Sequence, residues 1–212
     1  MRLRRLYPGA WGSNCYLLLA SDGHAAVVDP SPDAERILQA LREEHATPVA
    51  ILLTHGHFDH MTSLDTLREK AGIPALIHHA DADLPTDAQK NAFGVFFGQE
   101  RVWRTPEHCF ADGDKIPVGA ECVTVLATPG HTAGSVCFLC NGGQDILTGD
   151  TLFANGYGRC DLYGGNAAQL RLSLRRLAQL DRNAMLYPGH GEAARLCDAL
   201  SAVDPLDFTK KE

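Results

Sequence analysis

The chain has 212 residues, 45% hydrophobic and 21% charged, which is enough apolar length to bury a sizeable core. A net charge of −7 and a pI near 5.8 argue against a general nucleic-acid or anionic-membrane surface, and no stretch approaches a membrane span. Seven cysteines, an odd number scattered through apolar context, and no secretory leader after Met1 lead us to expect a cytoplasmic protein with reduced thiols.

Residues 3–6 and 14–20 read as the first strands, separated by a turn-rich stretch. Asp22-Gly23 is a hairpin signal, and residues 25–28 continue as a third strand that stops at Asp29-Pro30. Ser31-Pro32-Asp33 has the form of an N-cap followed by Pro at the first helical position. The helix it opens shows an apolar face at Ile37, Leu38 and Leu41 and ends near His45. Residues 48–53 form an uninterrupted apolar run, as expected of a strand buried on both faces.

That run feeds Thr54-His55-Gly56-His57-Phe58-Asp59-His60, with three histidines and one aspartate within six residues. Met61, Leu64, Leu67 and Ala71 follow at helical spacing, closed by Gly72 and Pro74. The motif therefore sits at a strand-to-helix loop, with Asp59 and His60 expected to open the helix, at the strand end where α/β proteins place ligand sites. Imidazole nitrogens and carboxylates are ligands that zinc and similar divalent ions prefer, whereas helix capping accounts for one aspartate and not for three histidines.

Residues 75–79 read as a strand ending in His78-His79, whose side chains should point to opposite faces. Residues 80–111 have no clean period; the three phenylalanines between Gly94 and Gly98 and at position 93 suit a packed loop or a pocket wall. Residues 121–127 form a β-branched strand running into Thr128-Pro129-Gly130-His131. Cys137 and Cys140 have Cys-x-x-Cys spacing, but within the strand at 135–140 they face opposite sides, as buried structural thiols would. Residues 145–148 lead to Gly149-Asp150, and the glycine-rich loop that follows lacks the Gly-Lys-Ser/Thr ending of a phosphate-binding loop. Leu170, Leu174 and Leu177 mark an amphipathic helix with Arg171, Arg175 and Arg176 on its wet side. Residues 184–187 form a last strand ending in Pro188-Gly189-His190, and a helix over 192–202 precedes a polar tail. Two similar β-rich halves with helices suggest two packed sheets covered by helices.

His131, Asp150 and His190 each stand where an apolar strand stops, as His55 does. Taken in order with His57, Asp59 and His60, these residues resemble the metallo-β-lactamase superfamily over nearly the whole chain. Within it the sequence is most similar to glyoxalase II (hydroxyacylglutathione hydrolase) and its short relatives, through residues 54–60 and Gly149-Asp150-Thr151-Leu152-Phe153. The resemblance implies a single α/β domain over residues 1–212, folded as a four-layer αββα sandwich. It implies two divalent ions, zinc first with iron or manganese as alternatives. One would lie on His55, His57 and His131, the other on Asp59, His60 and His190, with Asp150 bridging. His at position 57 and Asp at position 150 set the chain apart from the oxygen-reducing diiron branch and from one large β-lactamase group.

Hydrolysis of a small-molecule thioester or related ester follows as the expected activity, by a metal-bridging hydroxide that Asp59 orients. The alternative is a persulfide dioxygenase with one iron on His55, His131 and Asp150; lactonase or β-lactamase activity ranks lower. Gly158-Arg159-Cys160-Asp161 resembles the Gly-Arg-Thr-Asp of short relatives. Arg159 falls where glyoxalase II has a basic substrate-contacting residue, although an ion pair with Asp161 serves equally well. We expect no counterpart of the glutathione-holding helical domain after His190, so glutathione use does not follow from the resemblance.

Overall fold

The computed structural model describes residues 1–6, 8–9 and 11–203. Its first half runs β1 (Arg2–Leu6), β2 (Cys15–Leu19), β3 (His24–Val28), α1 (Ala34–Glu43), β4 (Thr47–Leu52), α2 (Leu64–Ala71), β5 (Ala75–His78), α3 (Phe93–Phe97) and β6 (His108–Phe110). The second half runs β7 (Lys115–Val118), β8 (Glu121–Ala127), β9 (Val136–Cys140), β10 (Asp145–Gly149), β11 (Leu152–Phe153), β12 (Gly156–Tyr157), α4 (Ala167–Leu177), β13 (Met185–Pro188), β14 (Ala194–Arg195) and α5 (Leu196–Ala202). Two six-stranded sheets result, ordered β1-β2-β3-β4-β5-β6 and β14-β13-β10-β9-β8-β7, with β11-β12 as a separate small hairpin. In the first sheet β3, β4, β5 and β6 are mutually parallel, and in the second β10 and β13 are.

Alternation along each strand builds three cores. Leu17, Val27 and Ile51 pack outward with Ile37 and Leu41 of α1 and Leu64 and Leu67 of α2. Their neighbours Leu18, Val28 and Leu52 face inward and meet Val123, Val125, Phe138 and Leu147 of the second sheet. On the far side Cys137, Ile146 and Leu186 pack with Leu170 and Leu174 of α4 and Leu196 of α5. Each fully buried side chain of this size contributes roughly 1.5–3 kcal/mol. Both sheets are thus covered on both faces, which is why their central strands read as continuous apolar runs. The architecture is the four-layer αββα sandwich. Cys137 and Cys140 fall in different cores and are free thiols, as their spacing within a strand requires.

Local differences from the sequence reading have identifiable causes. The cap of α1 is Asp33, which accepts from Glu35 N at 2.8 Å, because the Ser31 hydroxyl is turned away to donate to Ser13 O at 2.8 Å. Asp59 and His60 lie on a single 3-10 turn, Phe58–His60, and not on the following α-helix. Met61 leaves helical geometry to bury its side chain, and α2 begins at Leu64. The last helix begins at Leu196 and not at 192, because Ala194 and Arg195 pair with β13 as an edge strand. β6 and β7, too short to show a period, extend the sheets at their edges. The polar tail from 204 onward lies outside the described residues. Among those described, no helix is long and apolar enough to cross a membrane.

Candidate metal centre

β3, β4, β5, β8, β10 and β13 end at one edge of the sandwich, and the loops beyond them carry Asp29, residues 54–60, Asp81, His131, Asp150 and His190. The two sheets are stitched together there by Val136 N donating to Thr54 O at 2.9 Å. The last loop is held by Asn14 and Tyr16, which both donate to Pro188 O (2.9 and 2.7 Å), and by Gly189 N, which donates to Gly149 O at 2.7 Å. Close approach to Asp150 demands glycine on both sides of it. A Cβ on Gly189 would lie 2.2 Å from Asp150 Oδ1, and one on Gly158 would lie 2.0 Å from Asp150 O.

All seven residues singled out in the sequence come together. His55, His57 and His131 form one group of three potential ligands, His55, His60 and Asp150 a second, and Asp59, His60 and His190 a third. Within each group the ligand atoms lie within 4.8 Å of one another. Asp150 is central: its carboxylate oxygens are 3.3 Å from His60 Nε2, 3.5 Å from His190 Nε2 and 3.6 Å from His131 Nε2. Asp59 Oδ2 stands 3.2 Å from His190 Nε2 and 3.6 Å from His60 Nε2. His57 Nδ1 and His131 Nε2 approach to 2.9 Å.

Buried polar atoms are normally paired, yet His55 Nε2, His60 Nε2 and Asp150 Oδ1 are buried without a hydrogen-bond partner. Imidazole nitrogens and carboxylate oxygens converging in this way fit divalent cations. On His60, His131 and His55 the far ring nitrogen is occupied and sets the orientation. His60 Nδ1 pairs with Asp29 Oδ2 at 2.9 Å, His131 Nδ1 donates to Arg159 O at 2.7 Å, and His55 Nδ1 meets Thr54 Oγ1 at 3.1 Å.

Charge follows from the same geometry. Burial, reinforced by His60 and His131, holds His55 well below the usual imidazole range, and burial with His131 pushes His57 down to about 3. Both rings are therefore neutral and available as ligands. Burial opposes the charge on Asp150, but His60, His131 and His55 outweigh it and hold that carboxyl well below its ordinary value. Burial likewise opposes the charge on His60, and Asp59, Asp150 and Asp29 together reverse the effect and raise it.

Two carboxylates bracing the site were not singled out in the sequence. Asp29 accepts from Thr54 N (2.8 Å), Thr54 Oγ1 (2.7 Å) and His60 Nδ1. Asp81 is fully buried and accepts from Gly56 N (3.0 Å), Thr132 Oγ1 (2.7 Å) and Gly134 N (2.6 Å), tying the loop of His55 and His57 to the loop of His131. Asp29 does carry one legible signal, a carboxylate at the end of an apolar strand. Asp81 lies in the stretch without a period and carries none. His78 turns back to accept from Ala80 N at 3.3 Å and stacks on His79; neither joins a ligand group among the described residues. Arg159 does form the ion pair with Asp161, at 2.6 and 2.8 Å, and it also lines a cavity of about 280 Å³ beside Asp59 and Asp150.

Comparison with known proteins agrees with this geometry. The chain is 36% identical over 192 residues to the probable metallo-hydrolase YqgX of Bacillus subtilis, covering 90% of each protein. Among solved structures, BLEG-1 B3 metallo-beta-lactamase superposes with a TM-score of 0.89 at 30% identity, covering 99% of this chain and 100% of that one. TTHA1623 in a di-iron-bound form gives 0.83 at 30% identity, covering 95% and 98%. The profile of the Metallo-beta-lactamase superfamily matches residues 8–190, from the segment before β2 to the last histidine of the cluster, and the chain belongs to that superfamily.

Proposed function

We propose that the protein is a metal-dependent hydrolase of small-molecule thioesters, with chemistry like that of glyoxalase II. The observation that carries this reading is the position of Asp150, whose carboxylate reaches His131 on one side and His60 and His190 on the other. His55, His57 and His131 would hold one divalent cation, Asp59, His60 and His190 a second, and Asp150 both. Such ions supply Lewis acidity that polarises a carbonyl and makes water acidic enough to act as a nucleophile near neutral pH.

The chain's own groups provide the rest. The carboxyl of Asp59 is held below its ordinary value, burial opposing its charge but His60 and His190 outweighing that effect, so it is ionised and acts as an acceptor. It takes a hydrogen bond from the attacking water and directs a water lone pair at the carbonyl carbon. The acyl–sulfur bond breaks, water adds across it, and the products are a carboxylic acid and a thiol, with no change in oxidation state. The neutral imidazoles of His55 and His57 would serve as ligands and carry no proton in the reaction. The cavity beside them admits a small molecule.

Metal content decides the matter first. Protein purified without added metal should carry about two divalent ions per chain, zinc or a mixture with iron or manganese, and His190→Ala should lower this toward one. Thioester cleavage, followed by thiol release, should fall with it by at least about a hundredfold. One iron per chain, unchanged by His190→Ala and accompanied by oxygen uptake with glutathione persulfide, would replace the hydrolase with a dioxygenase.

A further inference from the structure

Five aromatic rings converge on the metal loop. Phe58, between His57 and Asp59, is their hub: its ring centroid lies 5.4 Å from Phe93, 5.6 Å from Phe97, 5.8 Å from Trp11 and 6.0 Å from Phe96. Trp11 and Phe97 are themselves 4.8 Å apart. Phe58 and Phe93 are buried, which ordinary core packing explains. The outer three are different: Trp11 is 44% exposed, Phe96 50% and Phe97 37%. Three large apolar rings held side by side in water are unfavourable on their own and mark a surface that receives an apolar group. They line the same cavity that Asp59, Asp150 and His190 adjoin, so whatever rests on them reaches the reacting centre.

Charge and size narrow the occupant. Arg159 is the one Lys or Arg lining this cavity among the described residues. Asp161 grips its guanidinium through Nε and Nη2, and its Cζ lies 5.5 Å from the centroid of the Phe96 ring. A carboxylate already claims that cation, and its flat face adds to the wall. A volume of about 280 Å³ matches one compact substituent of a thioester. Both substituents of a thioester are bonded to the carbon under attack, and the void next to Asp59 and Asp150 is assigned here to the acyl group, with the thiol extending outward.

Resting on the thioester reading above, we infer that the wall of Trp11, Phe96 and Phe97 selects substrates whose acyl group is uncharged and apolar, flat aryl groups above all. A polar hydroxyacyl group gains nothing from these rings, and neither does the anionic peptide of glutathione.

The test compares acetyl, hexanoyl, benzoyl and phenylacetyl thioesters of N-acetylcysteamine with S-lactoylglutathione, using metal-loaded wild type, Phe97→Ala and Phe97→Leu. The aryl substrates should exceed acetyl in kcat/KM by roughly ten- to a hundredfold, mainly through KM. Phe97→Ala should reduce that ratio at least about fivefold, and Phe97→Leu should restore part of it. Equal rates for acetyl and benzoyl, or a preference for the glutathione thioester that Phe97→Ala leaves in place, would overturn the inference and leave the hydrolase intact. If protein carrying two metals cleaves no thioester, the thioester reading fails. The wall is then probed directly with the non-cleavable S-benzyl thioether of N-acetylcysteamine, read by tryptophan fluorescence against Trp11→Phe. A saturable signal lost in Phe97→Ala supports an apolar acyl-type pocket; no signal overturns it. A dimer in sedimentation that Phe97→Ala dissociates, with no ligand binding, would assign the rings to a second copy of the chain and also overturn it.

Discussion

The Asp29 carboxylate accepts three hydrogen bonds, and every donor belongs to the loop of residues 54–60: Thr54 N, Thr54 Oγ1 and His60 Nδ1. It adopts φ of 50°, a left-handed conformation that a short polar side chain tolerates better than most. Asn at this position offers one acceptor oxygen and an amide that donates, so at least one buried donor loses its partner. Asp29→Asn should weaken metal binding about 10- to 100-fold, measured by competition with a chromophoric chelator, with circular dichroism unchanged. Asp81→Asn disturbs a cross-link between two ligand loops and should cost about 1–3 kcal/mol in denaturant unfolding, since a buried acceptor site is replaced by a donor facing Gly56 N, Thr132 Oγ1 or Gly134 N. Gly189→Ala forces a methyl group into Asp150 Oδ1 and His60 Cε1. It should therefore lose metal while the cores stay folded, seen as reduced stoichiometry with an unchanged far-UV spectrum.

At the scale of elements, α4 is a clear case of local sequence acting through packing. Asn166 caps it by accepting from Gln169 N at 3.0 Å, and Leu170, Leu174 and Leu177 bury its apolar face. Asn166→Ala should lower the unfolding free energy by about 0.5–2 kcal/mol, read from the denaturant midpoint at constant slope. Arg176, on the side read as wet, reaches Asp112 at 2.9 Å and the carbonyl of Ala127 at 3.0 Å, so part of that side is tied to the second sheet. α3 has the opposite character. Five residues are too few to hold a helix on propensity. It is bounded by Ala92 and Gly98 in left-handed geometry and kept in place by Phe93 against Phe58. Nothing periodic in residues 93–97 announces it, because the partners that stabilise it are Phe58 and Trp11, far away in the chain.

At the scale of the molecule, three cores hold the sandwich and one edge carries the chemistry. Phe138 sits at the middle of the inter-sheet core with no exposure, and Phe138→Ala should destabilise the fold by about 3–5 kcal/mol. Ligands from both sheets converge at the edge, so bound cations should brace one sheet against the other. Removing them with EDTA should lower the thermal midpoint by an amount corresponding to about 2.7 kcal/mol for each site whose free metal had stood at a hundred times its dissociation constant, and leave secondary structure in place. A collapse of the far-UV signal on chelation would instead make the metals part of the folding core.

The sequence by itself determined the central strands, the helices with a full apolar face and the seven residues that meet at the candidate metal centre. Each of these is written in short-range pattern: continuous apolar runs for strands covered on both faces, 3.6-residue spacing for α1, α2 and α4, and a dense histidine motif where a strand stops. Tertiary structure alone decided the rest. β6, β7 and β14 exist because longer neighbours offer them open edges, and the cap of α1 moved to Asp33 because Ser13 captured Ser31. Asp81 braces the site, and Trp11 joins Phe96 and Phe97 in one wall, only once residues distant in sequence meet. Such contacts have no period and no local spacing, so the folded chain alone reveals them.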